Sequence, residues 1–169
     1  MNTLDFLLKA YEIKELKRSG WVKKVNIVEA ETVASHVFGM LFIASLFFDD
    51  PELYKLIILH DLHEVIIGDL MPEEKFSGIE KTEYDAFLKL IQNLDEDKKK
   101  ELIELFKRSQ ESQILKEIDK LDMAIQALYY KNRGYPKEKL EEFILSAEKY
   151  IKSPNLRKIL EEVKERFEK

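Results

Sequence analysis

The chain has 169 residues, a formal net charge of −5, 45% hydrophobic residues and no cysteine. This length predicts one globular domain, and the absence of cysteine excludes disulfides and thiolate metal ligands. The negative net charge, with basic residues spread along the chain, argues against binding to duplex nucleic acid.

No apolar run reaches the roughly 20 residues that a membrane span needs, and the first twenty residues carry many charges. We therefore expect a cytoplasmic protein that does not contact a membrane. With only five Gly and four Pro, the composition favours an all-α fold with short connections.

The first predicted helix spans residues 2–18 and ends at Gly20. Arg18 and Trp21 flank this break, as a hydrophobic cap on the helix or as the rim of a pocket. The apolar side chains of the helix recur at helical spacing: Leu4, Leu7, Leu8 and Tyr11.

Residues 22–30 are predicted as a loop, and a second helix follows over residues 31–48. Thr32 or Ser35 is expected to cap this helix. His36 lies on its first turns among small and apolar neighbours. Taken alone, this pattern is more typical of a half-buried, hydrogen-bonded histidine than of a metal ligand.

Residues 59–72 carry the residue types that most indicate chemistry. Because burying unpaired charge costs several kcal/mol, ionisable groups in such an apolar segment favour a metal ion as their partner. A helix over residues 51–67 would put His60 and Glu64 one turn apart, with Asp61 about 100° round. A satisfied core histidine with capping acids is the alternative. Five ionisable side chains stand within ten positions: His60, Asp61, His63, Glu64 and Asp69.

Gly68 and Pro72 are predicted to end this helix and to place Asp69 in a turn beside it. An Asp after Gly is also ordinary turn chemistry, so both interpretations stay open. Residues 73–79 are predicted as a mobile connection that could act as a lid.

Five further helices are predicted, and the one over residues 113–133 is the most informative. Its Asp119 and Asp122 share a stripe with Gln126 beside the apolar core stripe. Either Asp could complete a site with His36, His60 and Asp61, although each taken singly fits a solvated helix face. The other predicted helices span about 80–93, from 97 onward, 136–151 and 154–168.

These residues stand in motifs that resemble the HD-domain phosphohydrolase superfamily, and in particular its stand-alone 5'-deoxynucleotidase branch. The likeness runs from about residue 4 to 133. The motifs are Lys-Arg-Ser-Gly-Trp at 17–21, Glu-Thr-Val-Ala-Ser-His at 31–36, His-Asp-Leu-His-Glu at 60–64, Gly-Asp-Leu-Met-Pro at 68–72 and Ile-Asp-Lys-Leu-Asp-Met at 118–123.

The resemblance implies a compact HD-domain helical bundle that forms a homodimer. In this interpretation a single HD domain fills residues 1–169, with a metal-binding core over about 4–133 and packing helices over about 136–168. One divalent ion is implied, either cobalt, manganese or magnesium, with zinc as a further option. The implied ligands are His36, His60, Asp61 and Asp119.

The resemblance also implies that Glu64 and Asp69 are catalytic, and that Arg18 and Trp21 bind the phosphate and the sugar. Two departures are visible. Ser35 stands where an acid commonly precedes the first ligand, and His63 replaces a residue that is usually small.

The leading hypothesis is a metal-dependent 5'-nucleotidase that removes phosphate from deoxyribonucleoside 5'-monophosphates. The cation would neutralise the phosphoryl oxygens and activate water, while Glu64 and Asp69 would act as base and acid in an order the sequence leaves open. The alternatives are an HD-domain enzyme for another phosphomonoester or phosphodiester nucleotide, and a non-catalytic helical module stapled by a metal.

Overall fold

The computed structural model of the chain describes residues 3–169 and is built from helices, which confirms the predicted all-α class. Two 3₁₀ turns, Glu12–Lys14 and Pro72–Glu74, connect α-helices. The α-helices of this part are α1 Thr3–Tyr11, α2 Ser19–Val25, α3 Val33–Phe47, α4 Pro51–Leu59, α5 Glu64–Ile67, α6 Ile79–Ile91, α7 Glu96–Glu111, α8 Gln113–Asn132, α9 Lys137–Tyr150 and α10 Pro154–Glu168.

Helix α8 lies at the centre of the molecule and contacts α3, α4, α9 and α10. Helix α3 packs between α8 and α4, and α7 covers the other side of α4. Leu121, Ile118 and Ala124 of α8 are fully buried, as are Met40 and Ala44 of α3. The two helices that carry His36 and Asp119 therefore form the rigid middle of the core.

The N-terminal segment differs from the predicted helix over residues 2–18. Helix α1 ends at Tyr11, residue 2 lies outside the described residues, and Gly20 is inside α2 rather than at a helix end. The predicted loop over 22–30 is likewise helical as far as Val25. The reason is tertiary, because the acceptor for the first turn of α2 is the side chain of Asp69.

The apolar stripe of α1 is largely exposed in the described chain. Phe6, Ala10 and Ile13 pack against the core instead. The exposed fractions of the stripe are 58% for Leu4, 45% for Leu7, 59% for Leu8 and 57% for Tyr11.

The predicted helix over 51–67 is interrupted where the chemistry is concentrated. Helix α4 begins with Asp50 as cap and ends at Leu59. The chain then tightens into turns, with hydrogen bonds from Leu62 N to Leu59 O and from Glu64 N to Asp61 O. These bonds join residues three apart, as in a 3₁₀ helix, so His60 and Glu64 do not share one α-helical face.

An isolated antiparallel bridge joins Lys17 to Thr32 and holds the start of α2 against the start of α3. Arg18 N donates to Glu31 O at 2.9 Å, and Val33 N donates to Leu16 O at 2.8 Å. Thr32 caps α3 by accepting a hydrogen bond from Ser35 N, so Thr32 rather than Ser35 is the cap. This bridge brings Arg18 close to the helix that carries His36.

The remaining helices match their predicted positions to within a few residues. The predicted lid over residues 73–79 contains part of a 3₁₀ turn, and ion pairs join Lys23 to Glu74 and Lys24 to Glu73. Within residues 3–169, no helix has the length and apolar character needed to cross a membrane.

Candidate active site

Two histidines and an aspartate from three helical segments meet at the centre of the protein. His36 comes from α3, His60 follows the last turn of α4, and Asp119 comes from α8. Each offers one ligand atom, and these atoms all lie within 4.8 Å of one another. The structure therefore brings together residues 83 positions apart in the sequence.

Asp61 adds a fourth side chain to this cluster. Its Oδ2 atom lies 3.0 Å from His60 Nε2 and 3.9 Å from His36 Nε2. Asp119 Oδ1 lies 3.0 Å from His36 Nε2. We call His36, His60, Asp61 and Asp119 the HD cluster.

The charges within the HD cluster are strongly coupled. Burial alone would lower the pKa of His36, but Asp119 and Asp122 raise it to about 10. Burial alone would raise the pKa of Asp119, but the contact with His36 lowers it to about 2. The pKa of Asp61 is held well below its usual range against the effect of burial, chiefly by His60. Without another cation, protons on the histidines balance these carboxylates.

The histidine nitrogens indicate that a metal ion fits this site. His36 Nε2 and His60 Nε2 are buried. Their 3.0 Å contacts with Asp119 and Asp61 lack hydrogen-bond geometry, so neither nitrogen has a hydrogen-bond partner among the described residues. The Nδ1 atom of His60 lies 2.6 Å from Ile57 O, which leaves the Nε2 lone pair for a ligand. Two neutral imidazoles and two carboxylates are a common donor set for a divalent ion. The HD cluster is therefore a candidate metal centre.

A cavity of about 210 Å³ opens onto the carboxylates of the HD cluster. We call it the site pocket. Its wall includes both catalytic candidates, Glu64 and Asp69, and both substrate-binding candidates, Arg18 and Trp21. Six of the eight predicted site residues thus line one cavity, and the other two, His36 and His60, lie behind its carboxylates in the HD cluster.

Asp69 connects the site pocket to helix α2. Its Oδ2 atom accepts hydrogen bonds from Ser19 N at 2.6 Å and from Ser19 Oγ at 2.9 Å. Its Oδ1 atom lies 3.5 Å from the Arg18 guanidinium, which also lies 3.9 Å from Asp61 Oδ2. Burial alone would lower the pKa of Arg18, but Asp69 and its neighbouring carboxylates raise it. Arg18 is therefore a permanent cation at the pocket wall.

Glu64 is buried at the first position of α5, and its Oε2 atom has no hydrogen-bond partner among the described residues. Burial raises the pKa of Glu64 well above its usual value, and the nearby Asp61 and Asp69 raise it further. A buried carboxyl group with a raised pKa that lines a pocket is a candidate general acid or base.

Trp21 is only 2% exposed, so most of its ring belongs to the core. The ring lies 4.2 Å from Phe143 and 5.2 Å from Tyr130 between centroids. Its Nε1 donates to Glu31 Oε1 at 2.9 Å. Only an edge of the indole is left to face the site pocket.

Ser19, Lys75 and Lys120 also line the site pocket and were not predicted from the sequence. Lys75 Nζ lies 2.9 Å from Glu83 Oε1. Burial alone would lower the pKa of Lys75, but the hydrogen bond to Glu83 raises it, and the nearby Asp61 adds to the rise. A lysine in the predicted lid and a serine beside a candidate phosphate-binding arginine were the available signals. Ser19 adds a hydroxyl to the pocket, and Lys75 and Lys120 add two cations to that of Arg18.

The two departures from the family pattern fall outside the HD cluster. His63 is buried against Phe106, with Nε2 4.0 Å from Glu83, and burial lowers its pKa. Ser35 is exposed, and its hydroxyl lies 3.0 Å from Thr32 Oγ1 at the start of α3. His63 thus borders the site without joining it, and Ser35 belongs to the helix cap.

In this all-α fold, His, His-Asp and Asp converge beside a pocket lined with carboxylates, which is the defining arrangement of HD-domain proteins. An HD domain implies that a divalent metal ion is bound. The chain belongs to the HD domain family, whose model matches residues 10–163. This confirms the family that the motifs predicted.

Named relatives support the same assignment. The chain is 32% identical to 5'-deoxynucleotidase HDDC2 of Danio rerio, an alignment that covers 97% of this chain and 87% of the relative. It is 29% identical to 5'-deoxynucleotidase HDDC2 of Homo sapiens, with 95% and 83% covered.

Solved structures share the fold. The PH0347 protein from Pyrococcus horikoshii OT3 matches with a TM-score of 0.75 and 28% identity, over 97% of this chain and 99% of that one. A conserved protein of Pyrococcus furiosus matches with a TM-score of 0.72 and 31% identity, over 96% and 99%.

Proposed function

We propose that this protein is a metal-dependent 5'-nucleotidase that removes phosphate from deoxyribonucleoside 5'-monophosphates. One observation carries the proposal: two buried histidine Nε2 atoms, which have no hydrogen-bond partner in residues 3–169, meet two carboxylates at a pocket that also holds Arg18, Glu64 and Asp69. The relatives named 5'-deoxynucleotidase support this substrate class.

His36, His60, Asp61 and Asp119 would hold the divalent ion. A bound ion would act as a Lewis acid on the phosphoryl oxygens and make a water molecule more acidic. The mixed nitrogen and oxygen donor set suits cobalt, manganese or magnesium, and zinc is a further option. The HD cluster would thus supply the positive charge that an attack on a phosphate monoester requires.

Glu64 and Asp69 would handle the protons of the reaction. The raised pKa of Glu64 makes it a stronger base than an exposed carboxylate, which suits the orientation or deprotonation of the attacking water. Asp69, which lies 3.5 Å from the Arg18 guanidinium, would serve the departing 5'-oxygen. The reverse assignment of acid and base uses the same two groups.

Arg18 would bind the phosphate, because its planar guanidinium matches two phosphoryl oxygens and stays charged at every working pH. The edge of Trp21 would contact the sugar. An apolar surface at that position leaves a 2'-hydroxyl without a hydrogen-bond partner, which favours deoxyribose modestly.

We also propose a homodimer. Helix α3 is apolar on nearly all sides, and three of its large side chains form an outward stripe. Phe38, Phe42 and Leu46 are 69%, 60% and 66% exposed. An apolar stripe of this kind is typical of an interaction surface. We further propose that residues 1–169 form one HD domain and that the protein is cytoplasmic.

The experiment that tests the function is phosphate release from deoxy- and ribonucleoside 5'-monophosphates. Protein stripped with a chelator would be supplied with cobalt, manganese, magnesium or zinc. Asp61→Ala removes a proposed ligand, and Asp97→Ala, at an exposed position of α7, is the matched control.

Release that depends on metal, is lost in Asp61→Ala, survives in Asp97→Ala and is larger for deoxy substrates is the expected result. Turnover of cyclic nucleotides alone would instead favour the phosphodiesterase alternative. Protein that binds metal but releases phosphate from no nucleotide would contradict the proposal and favour a structural metal site.

A further inference from the structure

Asp122 contacts the HD cluster from the side opposite to the site pocket. Its Oδ2 atom lies 2.7 Å from His36 Nδ1, while Asp119 approaches Nε2 of the same ring. His36 is 0% exposed and Asp122 is 8% exposed. The imidazole is therefore held between two carboxylates that stand three residues apart on α8.

Gly39 provides the space for this contact. It lies one turn after His36 on α3, and a Cβ atom built there would lie 2.1 Å from Asp122 Oδ1 and 3.0 Å from its Cγ. The residue is inside a regular helix, where Gly is less stable than Ala. Because its backbone conformation does not require Gly, the approach of Asp122 is the physical reason for the missing side chain.

Asp119 and Asp122 have different roles, because they contact different nitrogens of the His36 ring. A carboxylate on Nδ1 accepts a proton from that nitrogen, fixes the tautomer and leaves Nε2 as the ligand atom. Asp122 lies on the Nδ1 side of the imidazole, so the ring separates it from an ion bound at Nε2. Asp119 lies on the Nε2 side and lines the site pocket.

Glu31 also offers a carboxylate atom near His36 and Asp122, within 4.8 Å. Its Oε1 accepts the hydrogen bond of Trp21 Nε1, and the 2.7 Å contact with Asp122 occupies His36 Nδ1. Glu31 and Asp122 thus have hydrogen-bond partners in the Trp21 indole and the His36 imidazole, and this pair of carboxylates needs no ion.

We propose that Asp122 is a positioning residue that fixes the tautomer and orientation of His36, and that Gly39 is required to admit its carboxylate. This inference rests on the proposed role of His36 as a metal ligand. Asp122 touches neither substrate nor ion in this arrangement and acts through the histidine.

The first test is metal affinity, measured by calorimetry with Mn²⁺ on chelator-stripped protein. Removal of such a hydrogen-bond partner typically weakens metal binding about 10- to 100-fold, and we expect this range for Asp122→Ala. Asp122→Asn keeps the shape and an acceptor oxygen, so a smaller loss is expected. Asp119→Asn is the matched comparison, because it changes the carboxylate on the other side of the same ring and removes a proposed ligand outright.

The second test is spectroscopic. Nitrogen-15 NMR of the Zn²⁺-loaded wild type is expected to show His36 protonated at Nδ1, with its proton shifted far downfield by the carboxylate. This signal should disappear in Asp122→Ala and weaken in Asp122→Asn. A side chain that serves packing alone would not move it.

The third test pairs Gly39 with Asp122. Gly39→Ala alone should lower both Tm and metal affinity, because the new methyl group displaces the carboxylate. In an Asp122→Ala background the same change should raise Tm by about 2–4 °C, since the space is then free and Ala is the better helix former.

Two results would overturn the proposal. Manganese affinity within threefold of wild type in both Asp122 variants, beside a large loss in Asp119→Asn, would reject the positioning role and leave the proposed function standing. Wild-type protein that binds no divalent ion would reject both, since His36 would then be no ligand.

Discussion

The side chain of Asp69 caps helix α2 from 50 positions away, through hydrogen bonds to the backbone N–H and the hydroxyl of Ser19. Arg18, the residue before this helix, offers no side-chain cap of its own. The same carboxylate faces the site pocket. A proposed catalytic residue thus also supports the segment that carries the proposed phosphate-binding arginine.

Asp69→Ala and Asp69→Asn should separate these two roles. Loss of a helix cap costs about 0.5–2 kcal/mol, so Asp69→Ala should lower Tm by about 2–6 °C. Asp69→Asn keeps an acceptor oxygen and should melt near the wild type. Both variants should lose most phosphate release if the charge is catalytic. An Asn variant with full activity would show that Asp69 acts only as a cap.

Glu64→Gln should abolish turnover while the fold becomes no less stable. Removal of a general acid or base commonly costs about 100-fold or more in rate. The folded pKa of Glu64 is raised above its unfolded value by burial, so burying its anion costs free energy once the pH exceeds the unfolded pKa.

The cost of burying the Glu64 anion makes the wild type less stable than Glu64→Gln as the pH rises. The Tm of metal-free Glu64→Gln should equal that of wild type near pH 4, should rise above it once the pH passes the unfolded pKa, and should exceed it clearly at pH 8. Scanning calorimetry on chelator-treated protein measures this difference. A Gln variant that melts well below wild type at pH 8 would contradict the predicted cost of the buried carboxylate.

Glu117 should confer stability that depends on its charge. Its Oε2 atom accepts hydrogen bonds from Lys152 N at 3.1 Å and Ser153 N at 2.8 Å, just before α10. Burial alone would raise the pKa of Glu117, but these N–H groups lower it. Because the folded pKa lies below the unfolded value, the contribution is complete above the unfolded pKa and is lost as pH falls through the folded pKa.

Glu117→Gln keeps an acceptor oxygen and loses only the charge, a difference of about 1–1.5 kcal/mol, so it should lower Tm by about 2–6 °C at pH 7. The gap should shrink as pH falls below about 4. Glu165→Gln, at an exposed position of α10, should change Tm little at either pH. A gap that stays constant from pH 7 to pH 3 would show that the carboxylate charge contributes nothing.

Phe42→Lys should convert the proposed dimer into a monomer. Phe42 is 60% exposed, and its ring stacks on that of Phe38 at 6.1 Å on the outer face of α3. A lysine there would place a charge in the proposed interface. Light scattering after size exclusion measures the mass. Leu145→Lys, at a residue of α9 that is 51% exposed, is the control and should leave the mass unchanged. A wild-type protein of monomeric mass would reject the dimer.

The helices and the residue types of the site could be read from the sequence, because both depend on local features. Apolar periodicity, Asp50 before Pro51 and the cap at Thr32 act within one or two turns, and they predicted helices α3 and α6 to α10 closely and the start of α4. The order His36, His60-Asp61, Asp119 and its flanking motifs predicted the family, which the family match confirms.

What the sequence could not decide depends on contacts between distant segments. Helix α2, which Asp69 caps, extends to Val25 and so into the predicted loop over 22–30. The predicted helix over 51–67 breaks at His60, where the backbone hydrogen bonds begin to join residues three apart. Asp119 and Asp122 share one helical stripe and look equivalent in sequence. Only the packing of α8 against α3, at the space left by Gly39, sets Asp119 beside Nε2 and Asp122 beside Nδ1 of one buried ring. A helical repeat fixes which face a residue occupies, whereas the ring atom that it meets is fixed by the neighbouring helix.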